Sequence, residues 1–327
     1  MKTIVVDCMG SDKGSVVCVG GIKRFLELHK DVKIIAVGKE EELIGLKEVP
    51  NVEIVDARGV MEMTAEAMEA MRARDTSMYK AVMLVKENGY DGIVSAGGTG
   101  AFLSLAMMKL RTVEGIDRAA LVTALPTYDG SKLCLLDCGA NVDVTPERMV
   151  QFAKMGRIYA NTVLHVENPN VRLLSNGAED QKGTELIKET NKLLREAGYD
   201  WFKGNVEGRE AVFGGTNVVL AGGFEGNIFL KTYEGTAKMM GKMIGDAFRK
   251  NIFTKIGYLF AKSGVKQLRH KMDYEAVGGA MLLGTNGVVV KAHGSSTEYS
   301  FSCALGVCYD MIAADAVNLL KEGIKNG

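Results

Sequence analysis

What most constrains this chain is an alternation of short apolar, β-branched runs with amphipathic helical patterns, most runs ending directly in a glycine-bearing loop. Runs at 3–6, 32–37, 52–55, 92–95, 119–124, 133–136, 171–175, 218–221 and 288–292 read as strands. Segments 16–28, 65–73, 78–87, 100–110, 147–159, 184–197, 227–248 and 296–321 read as helices. Near-continuous apolar strands separated by helices predict a doubly wound α/β fold, with a mostly parallel sheet covered on both faces. Ligands of such sheets sit at the carboxyl ends of strands. Glycine there lets the backbone turn and a ligand approach closely, and a following helix presents N–H groups to an anion. Six such loops occur, at 95–100, 137–141, 175–183, 222–227, 284–287 and 293–296. Together they carry Asn, Thr, Ser, His and Lys, which points to a phosphate-like ligand. No linker of distinct composition divides residues 1–327, so one α/β unit is expected; the softest boundary is the turn at 126–131.

Composition removes several function classes. The formal net charge is zero, so nothing drives the chain as a whole toward nucleic acid. No apolar stretch approaches a membrane span, and the N-terminus enters a strand at once, so no secretory leader is expected and a cytoplasmic protein is. The six cysteines form no Cys-x-x-Cys pair and the four histidines lie far apart, so neither a metal nor a cofactor is expected. Gly98-Thr99-Gly100 lacks the third glycine of a dinucleotide fingerprint, and Gly241-Lys242 has the wrong spacing for a phosphate-binding P-loop. Asp7 and Asp12 follow the first strand and read as loop-holding carboxylates.

Individual residues carry paired readings. Lys182 stands just before a helix, where its charge opposes the macrodipole; it is either a solvated lysine or a phosphate partner. Asn227 is a helix N-cap or an amide aimed at an anion or carbonyl. Thr99 reads as the N-cap of the helix after 95–98, and Ser295 or Ser296 as that of the last helix. His293 either donates to phosphate or relays a proton, or is a structural histidine. Residues 245–272 hold no acid between Asp246 and Asp273, but hold Arg249, Lys250, Lys255, Lys262, Lys266, Arg269 and Lys271. Ile252, Phe253, Ile256, Leu259 and Phe260 recur there at helical spacing, which predicts a protruding basic amphipathic helix for a membrane surface or partner, or else a core-facing helix with a basic side.

In order along the chain, residues 6–12, 94–101, 136–141, 173–183, 202–208, 224–227, 278–284 and 293–296 resemble the PlsX family of phosphate acyltransferases of bacterial phospholipid synthesis. The resemblance covers essentially the whole chain. It implies a fold related to isopropylmalate dehydrogenases and phosphotransacetylases, a homodimer, and acyl transfer from acyl carrier protein to inorganic phosphate. It implies Lys182 and Asn227 as catalytic residues. Gly97, Gly98, Thr99, Gly100, Asn141, Asn176, Glu179, Gly226, His293, Gly294, Ser295 and Ser296 become the substrate-contact candidates. A long-chain acyl phosphate is apolar, so an enzyme peripherally bound to an anionic membrane is expected. Gly98 and Gly222 stand where the family has polar residues, which keeps open a phosphotransacetylase-like enzyme for short acyl thioesters. A covalent route through Cys138 and a non-catalytic anion- or carrier-binding homologue stay open as well.

Overall fold

The interior strands are short because each is apolar on both faces and ends where the chain must turn. In this computed structural model, which describes residues 1–271 and 278–325, they assemble into one eleven-stranded sheet. Its strands are β1 (Lys2–Asp7), β2 (Val32–Gly38), β3 (Val52–Asp56), β4 (Gly92–Ser95), β5 (Ala120–Pro126), β6 (Lys132–Leu136), β7 (Val171–Ser175), β8 (Phe202–Glu207), β9 (Val218–Leu220), β10 (Ala280–Leu283) and β11 (Val288–Lys291). Their spatial order is β3-β2-β1-β4-β11-β10-β5-β6-β9-β7-β8.

Seven of the ten ladders are parallel, as the alternation predicts. The three central ladders, β11 to β10, β10 to β5 and β5 to β6, are antiparallel. Three successive reversals leave the block β3-β2-β1-β4-β11 running opposite to the block β6-β9-β7-β8. The strands of the two blocks therefore point their carboxyl ends in opposite directions, and the glycine loops are not all at one edge. The loop at 284–287 is the β10–β11 hairpin turn, at the amino end of β11. The turn at 126–131 joins two paired strands, β5 and β6.

Helices cover both faces and bury two apolar clusters, one around Phe25, Phe152, Tyr159 and Phe301 and the other around Met78, Phe102 and Leu282. They are α1 (Ser15–Leu28), α2 (Ala67–Arg72), α3 (Ser77–Asn88), α4 (Thr99–Leu110), α5 (Pro146–Thr162), α6 (Glu185–Glu196), the single turn α7 (Gly208–Ala211), α8 (Gly223–Arg249), α9 (Ile252–Lys271), α10 (Glu298–Ala313) and α11 (Ala316–Lys325). The last helical pattern divides in two at Asp315, whose φ is +55°. No single helix among the described residues is long and apolar enough to cross a membrane.

The expected segment at 245–272 is the end of α8 followed by α9, not one helix. Within α8 only Gly223, Gly226 and Leu230 are buried, so the helix leaves the body after its second turn and carries α9 with it. Phe253 and Phe260 are 80% and 85% exposed, and Ile252, Ile256 and Leu259 are exposed beside them. This stripe does not face the core of its own chain. The side chains of Arg269 and Lys271, and Met272 and Asp273 altogether, lie outside the described residues.

Candidate active site

The register of the central ladders brings the two opposed blocks together. Leu136, which ends β6, pairs with Val122; Val122 pairs with Met281, and Met281 with Val290, the neighbour of Lys291 at the end of β11. Loops from both blocks therefore converge on one cavity of about 350 Å³. From the first block come Thr99, Lys291, His293 and Ser296; from the second come Cys138, Gly139 and Asn227. Leu121, Leu125 and Leu230 make its apolar wall.

A buried carboxylate organises each half. Asp7, at the end of β1, accepts from Ser77 Oγ at 2.6 Å, from Ser95 Oγ at 2.7 Å and from the Met9 N–H at 3.3 Å. It ties β1, β4 and the start of α3 together, the loop-holding role expected of it. Burial raises its pKa, against the lowering effect of these hydrogen bonds and of Lys291. In the second half Asp137 accepts from the backbone N–H of Leu121, Gly139, Ala140 and Asn141, and from Asn141 Nδ2, at 2.8–3.1 Å. Burial raises this pKa too, again against its hydrogen bonds. Asn141 gives its other amide hydrogen to Ala119 O at 2.9 Å. Both hydrogens are thus committed to the loop, so Asn141 holds the loop rather than offering a donor to a ligand.

The start of α8 docks on that loop through two glycines one turn apart. A methyl at Gly223 would overlap the Asn141 carbonyl, and one at Gly226 would overlap the Asp137 carbonyl. Only glycine allows this approach. Because α8 begins at Gly223 with Gly222 as N-cap, Asn227 lies in the second turn and is not a cap. Its exposed side chain lines the cavity facing Gly139. Gly226 is therefore a packing residue.

The N-cap of α4 is Gly98, and Thr99 is its first residue rather than its cap; the cap has no side-chain hydrogen bond. The first-turn N–H groups of α4 thus keep their capacity for an anion beside a cavity-lining hydroxyl. Gly97 and Gly98 are buried against Met78 and the Met63 backbone, and Gly100 faces open space; none of the three lines the cavity. In the last loop the α10 cap is Thr297, in a capping box with Ser300, rather than Ser295 or Ser296. Ser295 donates its N–H to His293 Nδ1 at 3.2 Å. An accepting Nδ1 places the proton of the neutral ring on Nε2. Lys13 Nζ braces this loop through Ser295 O at 2.8 Å and Ser296 O at 3.2 Å, while Gly294 is packed on Asp12.

Lys182 and Asn227, the pair implied by the resemblance, do not both line this cavity. Lys182 is exposed in the 175–183 loop and does not line the cavity. Its neighbours Asn176 and Gly183 line a second pocket of about 370 Å³, with Gly222 and Glu225 on the far wall. The start of α8 lines both, with Gly222 and Glu225 in this pocket and Asn227 and Leu230 in the first cavity. Glu179 lines neither; its carbonyl accepts from Asn205 Nδ2 at 2.8 Å and so shapes the loop.

Two cavity lysines fall outside every sequence motif. Lys231, on α8, pairs with Glu234 at 2.8 Å. Lys291 ends the four-residue strand Val288–Lys291, is 7% exposed, and donates to Ala96 O at 3.3 Å and to Ala292 O. Burial lowers its pKa to about 8, with Asp12 and Asp7 opposing. A charged residue closing an interior apolar strand is itself a sequence signal. Cys138, by contrast, is buried, gives its thiol hydrogen to Leu121 O at 3.2 Å, and has its pKa pushed up by burial. Such a thiol is a poor nucleophile, which argues against the covalent route.

The family described as "Fatty acid synthesis protein" matches residues 2–319. The phosphate acyltransferase of Bacillus pumilus (strain SAFR-032) is 40% identical over 324 residues, which cover 98% of this chain and 97% of that one. The phosphate acyltransferase of Thermosipho melanesiensis is 40% identical over 327 residues, covering 100% and 97%. Among solved structures, a phosphotransacetylase from Streptococcus pyogenes matches with a TM-score of 0.59 at 16% identity, over 96% of this chain and 94% of that one. The EutD phosphotransacetylase from Staphylococcus aureus matches at 0.56 and 17%, over 95% and 94%. At these identities the structural likeness speaks for the fold alone.

Proposed function

The chain belongs to the fatty acid synthesis protein family and is a phosphate acyltransferase, moving an acyl group from a thioester donor to phosphate; from that premise we propose that the transfer takes place in the cavity between the two sheet blocks and that the donor is acyl carrier protein. The observation that carries the reading is the convergence there of Asn227, His293, Ser296 and the open N-terminus of α4 beside the wall of Leu121, Leu125 and Leu230.

Inorganic phosphate is anionic at neutral pH, with its second ionisation close to neutrality, so a substantial share is already dianionic. It needs no activating base. One of its oxygens attacks the thioester carbonyl and forms the new C–O bond; the carbonyl oxygen becomes an oxyanion. The C–S bond then breaks, and the thiolate leaves and takes a proton from solvent or a site acid. The protein's part is to hold phosphate beside the carbonyl and to meet the oxyanion with fixed donors. Asn227 Nδ2 is assigned to the oxyanion, and His293 Nε2–H and Thr99 to phosphate or the donor arm. Lys182, across the first turns of α8, is assigned to negative charge on phosphate or the donor from the adjoining pocket. Removing one such donor lowers the rate about a hundredfold or more. Acyl phosphate formation by Asn227→Ala and Lys182→Ala tests both roles. Near wild-type rates in folded protein would remove the assignment from whichever residue shows them.

A second reading, a short acyl thioester as donor, is favoured by the cavity volume, which lies near the lower end of the roughly 300–1,000 Å³ typical of ligand pockets. Acetyl-CoA, long-chain acyl-CoA and long-chain acyl carrier protein compared in one assay separate the two. The proposal extends to a homodimer bound peripherally at an anionic cytoplasmic membrane surface. Exposed Met239, Met240 and Met243 on α8 and the apolar stripe on α9 support it.

A further inference from the structure

A lysine at the end of an interior strand is costly unless its charge meets a partner, because burial favours the neutral form. Lys291 has no ion pair among the described residues. The nearby carboxylate of Asp7 is occupied by Ser77, Ser95 and the Met9 N–H. Two hydrogens of the Lys291 ammonium go to carbonyls, those of Ala96 and Ala292. An ammonium carries three. The cavity that Lys291 lines also holds Lys231 and Glu234, whose charges pair with each other. The cavity therefore holds a buried ammonium that no carboxylate pairs directly, with Asp12 and Asp7 only near enough to favour its charge, and it is fixed by β4 and β11 rather than carried on a mobile surface stem.

We propose that Lys291 binds the phosphate nucleophile, its remaining N–H donating to a phosphate oxygen at the sheet side of the cavity. The bound anion supplies the direct partner that no carboxylate of the fold provides, and the two carbonyl hydrogen bonds hold the ammonium at a fixed point of the cavity wall. Burial lowers the pKa of Lys291 before phosphate arrives, and a bound anion favours the protonated form. Lys291 then acts as a catalytic residue in direct contact with substrate. This rests on the reading of the cavity as the acyl-transfer site. The phosphodiester of the donor's pantetheine arm offers the same chemistry, so the test separates the two sources.

Steady-state acyl phosphate formation is measured for wild type and Lys291→Met, varying inorganic phosphate and thioester donor separately. Wild-type turnover tests the underlying reading by itself. The KM for phosphate is expected to rise about tenfold or more in the variant, with the donor KM unchanged and partial recovery in Lys291→Arg. An unchanged phosphate KM, or a rise confined to the donor KM, overturns the proposal. A second measurement needs no variant. Wild-type enzyme is treated with acetic anhydride and acetylation at Lys291 is read by peptide mass spectrometry. Inorganic phosphate is expected to protect Lys291 several-fold relative to the exposed Lys192, and equal labelling with and without phosphate overturns the proposal.

Discussion

Replacing Gly226 by alanine tests how the site is held together. An added methyl would overlap the Asp137 carbonyl oxygen and meet the carbonyl carbon at 3.1 Å and the Ala221 methyl at 3.4 Å. A backbone carbonyl cannot turn aside as a side-chain tip can. An ordinary contact needs about 3.5 Å, so the start of α8 must retreat by roughly 1 Å or more. Overpacking of this kind costs about 1–3 kcal/mol, while alanine in a helix returns up to about 1 kcal/mol. Gly235, on the same helix, has no atom within 4 Å of an added methyl, so Gly235→Ala receives the propensity gain alone. Because both variants receive the propensity gain, they should differ by the overpacking cost, about 1–3 kcal/mol in urea unfolding. At about 2 °C per kcal/mol for a chain of this size, their melting temperatures should differ by roughly 2–6 °C. The displacement carries Asn227 away from Gly139. A shift near 1 Å in a positioning group can cost about a hundredfold, so the rate of acyl phosphate formation should fall by that order in Gly226→Ala and hold in Gly235→Ala. Equal stability and equal activity in the two variants would refute the close docking of α8 on the 137–141 loop.

Other perturbations reach different parts of the molecule. Asp137→Asn leaves one acceptor oxygen for five N–H groups and should cost about 3 kcal/mol in unfolding free energy; a loss below about 1 kcal/mol would show that these donors find water instead. Lys291 has a folded pKa of about 8 against an ordinary 10.5, so between those pH values the unfolded chain binds more protons and this group alone makes stability rise with pH. The charged form is penalised by about 3 kcal/mol at pH 7 without phosphate, a penalty gone near pH 10.5. Lys291→Met should therefore gain on wild type at pH 7 relative to pH 10 in urea titrations, and a pH-independent difference would contradict a buried ammonium. The α9 stripe should give salt-sensitive co-sedimentation with anionic vesicles, at about 1 kcal/mol per basic residue near the surface. Phe253→Glu with Phe260→Glu should abolish it while activity toward soluble donor persists; no co-sedimentation of wild type at low salt would assign the stripe to another contact.

The strands legible in the sequence are those buried on both faces, because an interior parallel strand needs an apolar residue at nearly every position. β1, β2, β4 and β11 satisfy this and read correctly. β8 does not: it is an edge strand that pairs only with β7, with Lys203 exposed, Gly204 at φ +79° and Asn205 buried for its hydrogen bonds. β10 is hidden because its four residues sit between glycines that read as loop. That omission conceals the reversal of the sheet, since β10 supplies two of the three antiparallel ladders. Without the reversal, every glycine loop reads as part of one carboxyl edge. Lys182 follows β7 and Asn227 follows β9, adjacent parallel strands of one block, so the reversal leaves that pair untouched; what the local pattern misses is that Asn227 faces the 137–141 loop after β6, which the order β6-β9-β7 sets. The same logic explains why Lys291 stands outside the motifs. Motif reading weights polar residues in loops, where a ligand can reach them, and discounts a lysine at a strand's end as solvated. Strand order is what encloses that end between β4 and β10. Once enclosed, the charge keeps little of its hydration and faces the cavity, where the anion that the reaction requires is the natural group to neutralise it.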